Sequence, residues 1–152
     1  MTDTNAVVYG ATYDETDVLE AVNRLLPLLS TSAQPMNASQ LNEMLSSDTI
    51  TLIIARDSIT LSIIGVLTLA IFRIPTGIRA WIEDVIVDSA ARGKGIGELL
   101  TCKALEIATQ KGAKTVELTS RPTREAANRL YQRIGFKIRE TNVYRYELGE
   151  TT

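Results

Sequence analysis

Arg92-Gly93-Lys94-Gly95-Ile96-Gly97 places three glycines at alternate positions just where a helical pattern begins. Upstream lies the run Trp81-Ile82-Glu83-Asp84-Val85-Ile86-Val87, apolar apart from its two acids. Downstream, Leu99, Leu100, Ala104, Leu105, Ile107 and Ala108 recur at helical spacing. The pattern reads as strand, glycine-rich turn and helix. Removing every second Cβ lets a ligand approach the backbone N–H groups that the first turn of a helix leaves unpaired. Such a turn binds anions, and a pyrophosphate fits it. Two common pyrophosphate loops are excluded by spacing. A Walker loop needs Ser or Thr after its lysine, and Gly95 follows Lys94; the dinucleotide fingerprint needs a third glycine where Glu98 stands.

The chain has no histidine and a single cysteine, Cys102. Ser-His and Cys-His pairs are therefore impossible, the usual Cys/His zinc site is absent, and no metal is expected. Acid–base chemistry falls to Asp, Glu, Tyr, Lys, an amino terminus or water.

The loop read as Arg92-x-x-Gly95-x-Gly97 resembles the acyl-coenzyme A binding motif of the GNAT superfamily of N-acyltransferases, written as Gln or Arg, two of any residue, Gly, any residue, then Gly or Ala. Glu83-Asp84-Val85-Ile86-Val87 is similar to that family's central strand. Ala127-x-x-Leu130-Tyr131-x-x-x-Gly135-Phe136 is similar to its later helix, which carries a tyrosine and ends in Gly-Phe. The three segments stand in the family's order and cover roughly the C-terminal half of the chain.

The resemblance implies an α/β (α+β) fold with a mixed, mostly antiparallel central sheet flanked by helices. It also implies acetyl transfer from acetyl-coenzyme A, as co-substrate, to an amine by direct attack in a ternary complex. Glu83 is the expected base, and Glu83-Asp84 resembles the pair in polyamine acetyltransferases. A free glutamate near 4.3 matches an ammonium near 10.4 poorly, so the base role would need a buried setting and a water relay. Asp84, on the opposite face by strand alternation, is expected to be structural. Tyr131 is the expected acid for the departing thiolate, and packing on the apolar stripe of its helix is the competing role. Backbone N–H groups of Val85, Ile86 and Val87 are expected to polarise the thioester carbonyl. Arg92, Gly93, Lys94, Gly95, Ile96 and Gly97 are expected to hold the phosphates. Many family members have asparagine seven residues before the tyrosine; here Arg124 stands there and Asn128 three before, so either is a candidate cofactor contact. Two other readings stay open, a non-catalytic acyl-coenzyme A binding regulatory module and a protein or peptide N-acetyltransferase.

At 152 residues the chain is long enough for one domain with a continuous core. With 16 basic and 18 acidic residues it has a net charge of −2, which gives no pull toward nucleic acid. No apolar run is long enough to span a membrane, and the first residues lack the pattern of a signal peptide, so a cytoplasmic location is expected. Ala6 to Ala11 reads as a strand, Asp14 to Leu29 as a helix disturbed by Pro27, and Ala38 to Leu45 as a helix capped by Asn37. Thr49 to Ala55 and Ile59 to Ile74 read as strands turning through Arg56-Asp57-Ser58, and Pro75-Thr76-Gly77 leads into the Trp81 strand. Gly112 closes the central helix, Thr115 to Thr119 is a strand, and Phe136 to Ile138 and Asn142 to Leu148 are expected as final strands, with a loose tail from Gly149 to Thr152. Val143, Tyr144 and Tyr146 suit a partly apolar contact, and a homodimer is expected.

Overall fold

The computed structural model describes residues 4–149. Five strands, β1 (Ala6–Gly10), β2 (Ile50–Asp57), β3 (Ile63–Ile74), β4 (Gly77–Val87) and β5 (Thr115–Glu117), form one sheet in sequence order. β1 to β4 are antiparallel and β5 joins β4 in parallel, so the sheet is mixed and mostly antiparallel as expected. Four helices flank it: α1 (Val18–Leu25), α2 (Ala38–Ser46), α3 (Ile96–Gln110) and α4 (Glu125–Ile134).

Strand alternation sends β2 and β3 side chains into two cores. On one face Ile53, Leu67, Leu69, Ala80 and Ile82 pack under Ile96, Leu100, Ala104 and Ala108 of α3. On the other, Leu52, Ile54, Val66 and Ile86 pack under Val18, Val22 and Leu25 of α1 and Leu41 of α2. Ala80 and Ile82 thus face α3, whereas Ile86, of the same parity, faces α1. A β-bulge explains the reversal. Thr68 pairs with Glu83 and Val66 with Ile86, so Leu67 alone opposes Asp84 and Val85. Asp84 takes φ +49, a conformation that L residues rarely adopt. One inserted residue flips every later side chain to the other face.

Gly65 in β3 lets α3 settle close to the sheet. A Cβ there would lie 3.0 Å from both Ile96 Cγ2 and Leu100 Cδ1, and 3.3 Å from the Ile86 carbonyl oxygen. Gly65→Val is therefore expected to overpack the contact that seats the first turn of α3, costing about 1–3 kcal/mol. A thermal melt should show a loss of about 2–4 °C per kcal/mol for a chain of this size.

Several boundaries differ from the sequence reading. α1 ends at Leu25, and a 3-10 turn at Leu26–Leu28 takes Pro27 into its first positions, where the missing N–H costs little. Asn37 does cap α2, through a full capping box with Gln40. Arg56 and Asp57, expected in a turn, end β2. Arg56 stays in the strand because it is tied to Asp17 Oδ2 at 2.7 Å, Glu15 Oε2 at 3.0 Å and Tyr9 Oη at 2.9 Å, which docks the start of α1 on the sheet. Burial pushes Glu15 up, but hydrogen bonds from Tyr9, the Thr12 N–H and Arg56 outweigh it and leave the carboxyl below its ordinary value. The expected strands at Phe136 to Ile138 and Asn142 to Leu148 are not strands: among the described residues no backbone ladder forms for them. Of the expected tail, residues 150–152 lie outside the described residues. Among the described residues, no helix is long and apolar enough to cross a membrane.

Candidate active site

β4, its bulge, the glycine turn and α3 form one continuous device. β4 and β5 pair only where Arg79, Ala80 and Trp81 meet Thr115, Val116 and Glu117. Beyond Trp81 the pairing with β5 stops, so β4 from Ile82 to Val87 pairs with β3 on one side and, among the described residues, has no strand on the other. This open edge leads to the glycine turn. Asp88 starts the connection, accepting the Ala90 N–H and an ion pair from Arg24 at 2.6 Å. Gly93 and Gly95 have φ +78 and +80, so the turn is built from left-handed positions. Gly95 is the N-cap of α3 and supplies no side-chain cap, which leaves the helix's first N–H groups without a side-chain acceptor. A Cβ at Gly93 would meet nothing within 4 Å, so the turn opens outward. Arg92 and Lys94 are exposed on it. The Lys94 carbonyl accepts the Thr4 hydroxyl at 2.9 Å, which ties the turn to the first described residue. Gly97 does a different job: its Cβ would come 3.3 Å from Leu130, so glycine lets α4 close against α3.

Glu83 is exposed and lacks the buried setting that the base role would need, because it precedes the bulge on the face away from α3, where the open edge begins. Trp81, two residues earlier on that face, donates its indole N–H to Glu83 Oε1 at 2.6 Å. The bulge also overturns simple alternation at Asp84, which is exposed beside Glu83. Val85 and Val87 pack against the α3 core and Ile86 against α1, so this stretch can meet a ligand only through its backbone.

Tyr131 on α4 is 7% exposed and packs edge-on against Phe136, with ring centroids 5.8 Å apart. Its hydroxyl makes no hydrogen bond among the described residues. Burial raises its pKa above the ordinary phenol value, with the nearby Arg124 charge opposing in part. Arg124 is the exposed N-cap of α4. Asn128 donates its side-chain amide to the Arg121 carbonyl at 2.9 Å, bracing the loop that delivers the helix. Its side-chain oxygen is the part left for a ligand.

Tyr131, Asn128, Trp81 and Ser120 line one cleft of about 1020 Å³, which follows β5 rather than the glycine turn. Ser120 Oγ is buried without a partner among the described residues. Such an atom suits a polar ligand group. Trp81 and Ser120 are the residues that sequence reasoning passed over. The same-face spacing of Trp81 and Glu83 was a usable signal; nothing local marks Ser120.

The positive-φ glycine turn, the uncapped start of α3 and the one-sided β4 edge together fit a ligand with both a pyrophosphate and an extended amide-bearing arm. Comparison with known proteins points the same way. The model of the acetyltransferase (GNAT) family matches residues 20–136. N-alpha-acetyltransferase 30 of Schizosaccharomyces pombe is 34% identical over 76 residues, 50% of this chain and 50% of that protein. An uncharacterized N-acetyltransferase of Methanocaldococcus jannaschii is 39% identical over 61 residues, 40% of this chain and 27% of that protein. The chain thus matches half or less of the length of these relatives. Among solved structures, a transcriptional regulator from Bacillus halodurans C-125 superposes with TM-score 0.79 at 28% identity, covering 93% of this chain and 99% of that one. An aminoglycoside acetyltransferase from an uncultured soil metagenomic sample, in complex with sisomicin, shares the fold at TM-score 0.85 and 18% identity, covering 99% and 100%.

Proposed function

The chain belongs to the acetyltransferase (GNAT) family, and from that premise we propose that it transfers an acetyl group from acetyl-coenzyme A to an amine by direct attack in a ternary complex. The observation that carries this reading is the parting of β4 from β5 beyond Trp81, which opens a strand edge toward the glycine turn. Acetyl-coenzyme A, when bound, supplies an activated acetyl thioester. Arg92, Lys94 and the backbone of Gly93, Gly95, Ile96 and Gly97 hold its pyrophosphate, and the free edge of β4 pairs with its amide arm. N–H groups on the free edge between Val85 and Val87 polarise the carbonyl. Arg124 and the Asn128 side-chain oxygen are secondary contacts.

Glu83 takes the proton of the incoming ammonium. Because it is exposed, it works through water or directly at the mouth of the site, and the Trp81 indole fixes one carboxylate oxygen while leaving the other free. The exposed carboxylates of Glu83 and Asp84 favour a cationic acceptor. Tyr131 Oη holds the proton that the leaving group needs. The acceptor is a small molecule or a peptide amine, the latter supported by the fission-yeast relative, an N-alpha-acetyltransferase by name. Two copies associate through the C-terminal residues Val143, Tyr144 and Tyr146.

Saturating acetyl-coenzyme A, at about 100 times its Kd, is expected to stabilise the fold by about 2.7 kcal/mol. At about 2–4 °C per kcal/mol this raises the melting temperature by roughly 5 to 10 °C. Gly95→Val should remove the shift, since φ +80 excludes a branched residue and the side chain would crowd the phosphate approach. No shift, or an equal shift with NAD and ATP, sinks the cofactor assignment. An acetyl-transfer screen over polyamines, amino acids, aminoglycosides and N-terminal peptides, read as free thiol, tests the reaction itself. Binding without turnover on any amine would favour a regulatory acyl-coenzyme A binding module, a reading in keeping with the Bacillus halodurans neighbour, which is described as a transcriptional regulator.

A further inference from the structure

Arg24 stands in the last turn of α1, on the face of the sheet opposite α3, yet it reaches the connection that delivers α3. Its guanidinium forks. Nη1 meets Asp88 Oδ2 at 2.6 Å, and Nη2 donates to the Ile63 carbonyl at the start of β3, also at 2.6 Å. The Asp88 N–H donates to the neighbouring Ile64 carbonyl at 2.8 Å, so helix, strand and connection close one ring of hydrogen bonds.

Asp88 passes this restraint on. Its other carboxylate oxygen accepts the Ala90 N–H at 3.2 Å, and its carbonyl accepts the Ala91 N–H at 2.9 Å. Together they wind the 3-10 turn Ser89–Ala91, which runs directly into Arg92. The Ala90 N–H first and Arg24 second hold the Asp88 carboxyl below its ordinary value, so it stays ionised and paired at neutral pH. The stretch that follows needs such a brace. Gly93 and Gly95 have positive φ, and a Cβ at Gly93 would meet nothing within 4 Å. A turn of that kind binds an anion tightly only if its N–H groups are aimed before the ligand arrives, because any ordering left to do is subtracted from affinity. Arg24 also offsets a charge. The Arg92 cation is near enough to help hold the Asp88 carboxyl ionised, so without Arg24 a carboxylate lacking its ion pair would stand beside a site that takes phosphates.

We infer that Arg24 is a positioning residue for the coenzyme turn, acting through Asp88 from the far side of the sheet without touching the ligand. The inference rests on the cofactor reading proposed above and adds to it a residue outside the turn. Solvent reaches both side chains, 45% for Arg24 and 26% for Asp88, so the pair contributes little to global stability and its effect falls on local geometry.

The test measures acetyl-coenzyme A binding by calorimetry, together with melting and amide exchange of the ligand-free chain. Arg24→Gln is expected to raise the acetyl-coenzyme A Kd about tenfold, the scale of one freed backbone residue that must be ordered on binding. Its melting temperature should fall by no more than about 4 °C. Exchange at the Ala90, Ala91 and Arg92 amides should quicken while that of α1 stays at the wild-type rate. Arg24→Lys keeps the charge but cannot span Asp88 and Ile63 as a fork, so it should recover only part of the affinity. Asp88→Asn loses the tie without leaving an anion, and should weaken binding less than Arg24→Gln. The double variant Arg24→Gln, Asp88→Asn should bind no more weakly than Arg24→Gln alone, because both changes cut the same tie. Losses that multiply in the double variant would show that Arg24 does not act through Asp88. Wild-type affinity in Arg24→Gln, with an earlier melt or without one, would leave a structural tie and remove the positioning role alone. A wild-type chain that fails to bind acetyl-coenzyme A removes the cofactor reading and the role built on it.

Discussion

Tyr131→Phe is expected to lower turnover by about 100-fold or more, the scale of a lost general acid, with acetyl-coenzyme A affinity and melting temperature nearly unchanged. The phenylalanine keeps the ring, and with it the edge-on contact to Phe136. The lost hydroxyl makes no hydrogen bond among the described residues, so its removal orphans no protein partner, and a large stability loss has no source. The defect should be flat with pH through the neutral and mildly alkaline range. Burial raises the Tyr131 pKa above the ordinary value near 10, so the wild-type phenol still carries its proton there. Any alkaline limb due to Tyr131 lies above that value in the wild type and is missing in the variant. Steady-state thiol release across pH, beside a binding isotherm for the cofactor, separates the roles. Wild-type turnover with an earlier melt would make Tyr131 a packing residue.

The parts of this site that depend on local backbone chemistry were readable from the chain. Glycine at 93 and 95 signals positive φ, which both residues adopt, and Asn37 with Gln40 three places on signals a cap. The scarcity of polar residues between Ile63 and Ile74 likewise agrees with β3 sending side chains into both cores. What failed was non-local. Arg56 stays in β2 because Glu15, Asp17 and Tyr9, 39 to 47 residues away in sequence, gather around it. The bulge at Asp84 arises between two particular strands, and no property of Glu83-Asp84-Val85 alone predicts which residue β3 will leave doubled. Asn142 to Leu148 has strand period, but a strand is a relation between two backbones, and among the described residues none pairs with this one. The Glu83 environment follows from the same point: a carboxylate whose base role would need burial instead sits where its strand loses its partner on one side.

That exposure shapes the second large effect. Glu83→Gln should reduce kcat/KM by about 100-fold or more near neutral pH, the loss typical of a missing base. The amide keeps the size of the side chain, and its oxygen can still accept the Trp81 indole N–H, so the local geometry survives the change. The deficit should shrink as pH rises. An aliphatic ammonium near 10.4 gives up its proton to solvent in a fraction that grows about tenfold per pH unit, so above about pH 9 more of the acceptor arrives neutral and the base matters less. Tyr131 keeps its proton over this range, so the rescue can be read without losing the acid. The two variants should therefore part company, Glu83→Gln recovering with pH while Tyr131→Phe does not. A Glu83→Gln deficit of constant size at every pH would mean that the carboxylate orients the acceptor without taking its proton. An unchanged rate would move the proton path to water alone, leaving the Trp81–Glu83 pair as a structural tie on the open edge of β4.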